Sequence, residues 1–115
     1  MSPRASEGGT AGAHLRVLIA DDEPRARQFL EKLLGEHEEL DLVGAARGGA
    51  EALQLIASLK PDVVFLDIHM PDLSGLEVAR HLRGAQAPIV VFVTAYDKYA
   101  VEAFEVAALD YVLKP

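Results

Sequence analysis

Four apolar runs that do not alternate limit most tightly what this chain can fold into. They are Leu15–Ala20 (polar only at Arg16), Val63–Leu66, Ile89–Val93 and Tyr111–Leu113. A strand with one wet face reads apolar and polar by turns. Short runs that are apolar at consecutive positions and rich in β-branched residues belong to strands buried on both faces, in a parallel sheet covered by helices. Leu42–Ala46 reads as a further short strand, and stretches of helical periodicity separate the runs. The order is βαβαβαβαβ, which predicts an α/β fold with a doubly wound, five-stranded parallel sheet.

The helices have their own signals. Pro24 suits a first helical turn, with Asp22 as its predicted N-cap. Ala26, Phe29, Leu30, Leu33 and Leu34 make one apolar face, and Gly35 lies near the end of that helix. Residues 49–59 predict a second helix with Leu53, Ile56 and Ala57 inward, and Lys60-Pro61-Asp62 breaks the chain behind it. The segment Met70-Pro71-Asp72-Leu73-Ser74-Gly75 is loop chemistry. A third helix carries Leu76, Ala79 and Leu82. A fourth spans 97–107, with Ala100, Ala103, Phe104 and Ala107 on one side. Residues 1–14 are rich in Gly, Ser, Ala and Thr and are expected to be a disordered lead-in, which leaves 15–115 as one domain.

Composition narrows the partners. A net charge of −7 over 115 residues disfavours contact with nucleic-acid phosphates. No basic amphipathic stretch suits a membrane surface, and no apolar run approaches the roughly 20 residues of a spanning helix. The chain has no cysteine, so it has neither a disulfide framework nor thiolate metal ligands, which fits a cytoplasmic location. The four histidines, His14, His37, His69 and His81, lie at no metal-ligand spacing and read as surface residues. His69 stands out because its side chain is expected to overhang the site described next.

The ends of the apolar runs carry the chemistry. Asp21 and Asp22 close the first, Asp67 the third strand, Thr94 the fourth and Lys114 the fifth. The carboxyl ends of parallel strands are where open α/β sheets place their ligands. Three carboxylates in one pocket repel one another unless a cation is present, and oxygen donors suit Mg²⁺. A carboxylate can also attack phosphorus to form an acyl phosphate, with Lys114 and Thr94 to neutralise and bond the phosphoryl oxygens.

With these residues in order and at this spacing, the chain resembles a response-regulator receiver domain of two-component signalling. The likeness rests on Asp21-Asp22, the segment from Phe65 through Asp67, His69, Met70 and Pro71 to Gly75, Val93-Thr94-Ala95, and Lys114-Pro115. It covers residues 15–115. It implies the flavodoxin-like strand order 2-1-3-4-5 and a fifth helix that this sequence lacks, so a segment of a longer protein is expected. It also implies roles. Asp67 would accept a phosphoryl group from a histidine kinase. Asp22 would bind Mg²⁺ directly, Asp21 largely through water, and Asp67 and the His69 backbone carbonyl would complete the protein ligands. Lys114 and Thr94 would hold the phosphoryl group, and Tyr111 would be an aromatic switch. The segments 94–106 and 109–115 are further similar to regulators of the LytR/AlgR type, whose remaining part is a LytTR DNA-binding domain. The readout face would be the fourth helix and fifth strand, with Tyr99, Phe104 and Tyr111. A homodimer is left open.

Blander readings stand beside these. Asp22 can cap a helix, Thr94 can be an ordinary β-former, and Tyr111 reads equally well as a half-buried strand aromatic. Glu23 reads as a first-turn acid, and Tyr96 and Tyr99 as surface or partner-facing. Among other functions, a haloacid-dehalogenase-type phosphatase would also use an Asp after an apolar strand. It would need a second Asp two residues on, where this chain has His69. A degenerate receiver that only binds would have no need of the full acid, Thr and Lys set. The expectation is therefore a phospho-acceptor switch and not a turnover enzyme.

Overall fold

A computed structural model describes residues 14–82, 84, 86–95, 98–105, 108 and 110–114, apart from the side chains of Val101 and Phe104. The expectations for the tail at 1–13, Tyr96, Phe104, Ala107 and Pro115 lie outside the described residues. Five parallel strands form one sheet: β1 Leu15–Ala20, β2 Leu40–Ala46, β3 Val63–Leu66, β4 Ile89–Thr94 and β5 Asp110–Leu113. The helices between them are α1 Pro24–Gly35, α2 Gly49–Leu59, α3 Gly75–Arg80 and α4 Ala100–Glu105. The strand order is β2-β1-β3-β4-β5, as expected. The order reverses at β1, so a crevice opens between the carboxyl ends of β1 and β3.

The sheet sorts its apolar residues by the period of two. Leu18, Ala20, Val64, Leu66, Val90 and Phe92 face one side, under Ala52 and Ile56 of α2, Leu76, Val78 and Ala79 of α3, and Ala103 of α4. Val17, Ile19, Val63, Val91 and Val93 face the other, under Leu30 and Leu34 of α1. Full burial of one such side chain contributes about 1.5–3 kcal/mol.

Several details differ from the sequence reading. The N-cap of α1 is Glu23, not Asp22, with Pro24 inside the first turn. The Asp21 carboxylate accepts the Glu23 N–H at 2.9 Å, which moves the helix start one residue on. Phe29 and Leu33 are 48% and 42% exposed, because Leu30 and Leu34, a full turn apart, take the inward line. On α2 the buried residues are Gly49, Ala52 and Ile56, while Ala57 is exposed. Strand β2 begins two residues earlier than expected, pairing Leu40 with Leu15, and a register shift falls between Val17 and Leu18.

Arg16, the polar residue in β1, has a structural use. Its guanidinium donates to the carbonyls of Leu59 and Lys60 at the carboxyl end of α2. Its N–H donates to Asp62 Oδ2 at 2.8 Å. Lys60 itself ends α2 in the left-handed region, at φ 50°.

Candidate functional site

Backbone hydrogen bonds carry each polar residue to the same rim. The Asp21 N–H donates to the Ala46 carbonyl at 3.0 Å, the Asp67 N–H to Ala20 at 2.9 Å, and the Lys114 N–H to Thr94 at 2.8 Å. The sheet ladder thus runs one residue past the regular strands and delivers Asp21, Asp67, Thr94 and Lys114 side by side. Asp21 is 1% exposed, Asp67 5% and Thr94 0%. Arg27 holds the acidic turn from behind by donating to the Asp21 carbonyl at 2.8 Å.

Lys114 is the hub. Its Nζ lies 3.0 Å from Asp21 Oδ2, 2.9 Å from Glu23 Oε1 and 3.2 Å from Asp67 Oδ2. Carboxylate oxygens of Asp21, Asp22 and Asp67 all lie within 4.8 Å of one another. Glu23 is therefore more than a first-turn acid, since it shares the site's cation. A cleft of about 230 Å³ opens above, lined by Asp22, Glu23, Asp67, His69, Ala95 and Lys114.

The electrostatics follow from burial and crowding. Burial, and then the Asp21 charge, push the Asp67 carboxyl above its ordinary range, against the opposing pull of Lys114 and a hydrogen bond from Thr94. Burial alone would pull the Lys114 ammonium down. Hydrogen bonds to Glu23 and Asp21 and the charges of Asp67 and Asp21 outweigh it, so Lys114 stays firmly protonated. Its hydrogen bond and charge hold Glu23 below the usual carboxylate range.

A hard cation fits this donor set. The available atoms are oxygens, and they are close enough to share one ion. Asp21 Oδ2 is enclosed, and the Lys114 ammonium 3.0 Å away is the charge set against it. One ammonium is shared by three acids there, and a second cation would offset the remaining negative charge of Asp21, Asp22 and Asp67.

The remaining predicted residues divide. Tyr111 is half-buried on β5 and packs beside Phe92, with ring centroids 6.2 Å apart at 52°. Tyr99 is not a free surface residue. It packs against the core and meets His69, with the His69 Nε2 and Tyr99 hydroxyl 3.1 Å apart and the rings edge to face at 5.3 Å. His14, His37, His69 and His81 are exposed, as expected. Sequence reasoning also missed a tertiary cap: the Asp72 carboxylate accepts the N–H groups of Gly49 and Ala50. Gly48, with no side chain to serve as N-cap, was the available signal.

The family model described as response regulator receiver domain matches residues 17–115. The chain belongs to the response-regulator receiver family. An uncharacterized response regulatory protein of Vibrio cholerae serotype O1 is 55% identical over 101 residues, which cover 86% of this chain and 39% of that protein. The transcriptional regulatory protein BtsR of Escherichia coli is 46% identical over 101 residues, covering 88% of this chain and 42% of BtsR. This receiver domain thus spans about two fifths of the length of the curated relatives it matches. Among solved structures, the response regulatory domain of mrkE from Klebsiella pneumoniae is 40% identical with a TM-score of 0.83, covering 88% of this chain and 84% of that one. The response regulator domain of Thermotoga maritima CheB is 32% identical with a TM-score of 0.81, covering 89% and 79%. The receiver domain is a signalling module of two-component systems, and no helix among its described residues is long and apolar enough to cross a membrane.

Proposed function

We propose that this receiver domain is a phospho-acceptor switch in which Asp67 takes a phosphoryl group from a histidine kinase. The observation that carries this reading is the single ammonium of Lys114 set among Asp21, Glu23 and Asp67 beside Asp22. An Asp67 carboxylate oxygen forms the new O–P bond. The P–N bond to the donor histidine breaks, and the imidazole nitrogen keeps the electron pair. Asp21, Asp22, Asp67 and the His69 backbone carbonyl would hold Mg²⁺, which supplies charge neutralisation at the transferring phosphoryl group. Lys114 can exchange a carboxylate for a phosphoryl oxygen. The Thr94 hydroxyl, now bonded to Asp67, can turn to another.

The switch is a population shift. The phosphoryl group bonds better in the arrangement that brings Thr94 and Lys114 onto it, and Tyr111 follows inward behind Thr94. Its readout then lies on α4 and β5. The domain accepts and holds a group rather than turning over a substrate. On this reading it acts in the cytoplasm and controls an attached output. The likeness of 94–106 and 109–115 to LytR/AlgR regulators, and the similarity to the transcriptional regulatory protein BtsR, support a DNA-binding output of the LytTR type.

The test is intact mass after incubation with Mg²⁺ and acetyl phosphate, beside Asp67→Asn. The parent is expected to gain one phosphoryl group and the variant none. Labelling of both would move the acceptor elsewhere, and labelling of neither would reduce the domain to a binding module. Continuous phosphate release at high turnover would instead favour a phosphatase.

A further inference from the structure

Asp72 joins two stretches of chain that are 22 residues apart. Helix α2 starts at Gly49 behind Gly48, which has no side chain to cap it. The cap comes from the β3–α3 loop. Asp72 Oδ1 accepts the Gly49 N–H at 2.8 Å, and Oδ2 accepts the Ala50 N–H at 2.9 Å. These are two of the donors that a helix leaves orphaned at its start. The fit is close: a Cβ at Gly48 would stand 2.9 Å from Asp72 Oδ1, and one at Gly49 would stand 2.6 Å from the Leu73 Cβ. Bonds from the Ala50, Leu73 and Gly49 amides hold the Asp72 carboxyl at about 2, although solvent reaches it freely.

The same loop is closed at its base, where Gly75 returns to Asp67 and Ile68 just beyond β3. The Gly75 N–H donates to the Ile68 carbonyl at 2.8 Å. A Cβ at Gly75 would stand 2.2 Å from the Asp67 carbonyl oxygen, so only glycine permits this approach. His69 lies between Ile68 and the Asp72 contact, and it lines the acidic cleft.

We propose that Asp72 is a positioning residue for the metal site: by clamping the 68–74 loop to the start of α2, it fixes the His69 carbonyl relative to Asp22 and Asp67. The inference rests on the Mg²⁺ reading above. A plain helix cap is the competing role, and Glu51 separates the two. Glu51 Oε1 accepts the Arg47 N–H at 2.8 Å, which steadies the same end of α2 without touching the loop.

The experiment compares the parent chain with Asp72→Ala, Asp72→Asn and Glu51→Ala. Mg²⁺ affinity is measured by calorimetry, and amide hydrogen exchange is followed at Gly75. Asp72→Ala is expected to weaken Mg²⁺ binding about tenfold, in the range for residues that orient metal ligands, with Asp72→Asn intermediate. Glu51→Ala is expected to stay within about twofold of the parent, as for a surface change away from the site. Exchange at Gly75 is expected to rise about tenfold in Asp72→Ala and to hold in Glu51→Ala. A folded Asp72→Ala protein with the parent's Mg²⁺ affinity, or with the parent's Gly75 exchange, overturns the proposal. Should Asp72→Ala not fold, Asp72→Asn is judged by the same two readings. If the parent itself takes up no Mg²⁺, the metal reading fails, and Gly75 exchange alone decides whether Asp72 clamps the loop.

Discussion

On one face of the sheet, Leu18, Val64, Leu66 and Phe92 lie beneath α2, α3 and α4 and are wholly shut off from solvent. On the other, Val17, Ile19, Val91 and Val93 lie beneath α1, the one helix packed there among the described residues. Ile89 and Val112, which share that second face through their pairing with Val63 and Val93, remain 45% and 43% exposed, and Leu113, on the first face through its pairing with Thr94, remains 50% exposed. The two faces carry similarly apolar residues under different numbers of helices, yet both are closed over β1 and both open toward β5. Apolarity of a strand therefore says that both faces avoid water, while the helices decide how far each succeeds. The acidic site sits at the rim between them, where neither face's packing has to accommodate its charges.

Substitutions on the two faces should break or sharpen this contrast. Phe92→Ala, on the face beneath three helices, is expected to cost about 3–5 kcal/mol in denaturant unfolding. A loss under about 1 kcal/mol would show that this face is not close-packed. Leu30→Ala, beneath α1, should cost about 2–4 kcal/mol, because Leu30 is 7% exposed and anchors that helix. At the rim the sign reverses. Asp67→Asn removes one of the crowded charges, and in metal-free buffer it should stabilise the fold by about 1–2 kcal/mol, read as a higher Tm. Excess Mg²⁺ should narrow that gain, since the cation offsets the same repulsion in the parent. Leu33→Ala should cost about 1 kcal/mol or less, as the side chain is already 42% exposed and alanine favours the helix.

The smallest effect is a pH dependence. Asp72 titrates lower in the fold, at about 2, than its ordinary 3.8, so its contribution is present above the ordinary value and lost as pH falls through about 2. The Tm gap between the parent and Asp72→Asn should close as pH falls from about 5 toward 2. A gap that stays constant would mean that the carboxylate's charge contributes nothing to the cap.

Much of this was legible in one dimension. The strands at 15–20, 63–66 and 89–94, the helix at 49–59 and the residues at the strand ends follow from local pattern, because a strand buried on both faces cannot afford polar residues until it ends. The placement of Asp21, Asp67, Thr94 and Lys114 on one rim then follows from parallel strands. Other features were hidden. Phe29 and Leu33 have the same periodicity as Leu30 and Leu34, and only the packing of α1 on the sheet selects between them. Glu23 reads as a helix-start acid until β5 brings Lys114 to it. Asp72 reads as a turn residue until the chain folds and sets it on Gly49 and Ala50.

The sequence by itself determined the element order, the parallel sheet and the set of groups available for chemistry, because hydrophobic period and chain-end chemistry are local properties. The tertiary structure alone decided which carboxylates share Lys114, which helix start Asp72 caps and which apolar positions stay partly wet. Those depend on contacts between residues far apart in the chain, and such contacts leave no period in the sequence.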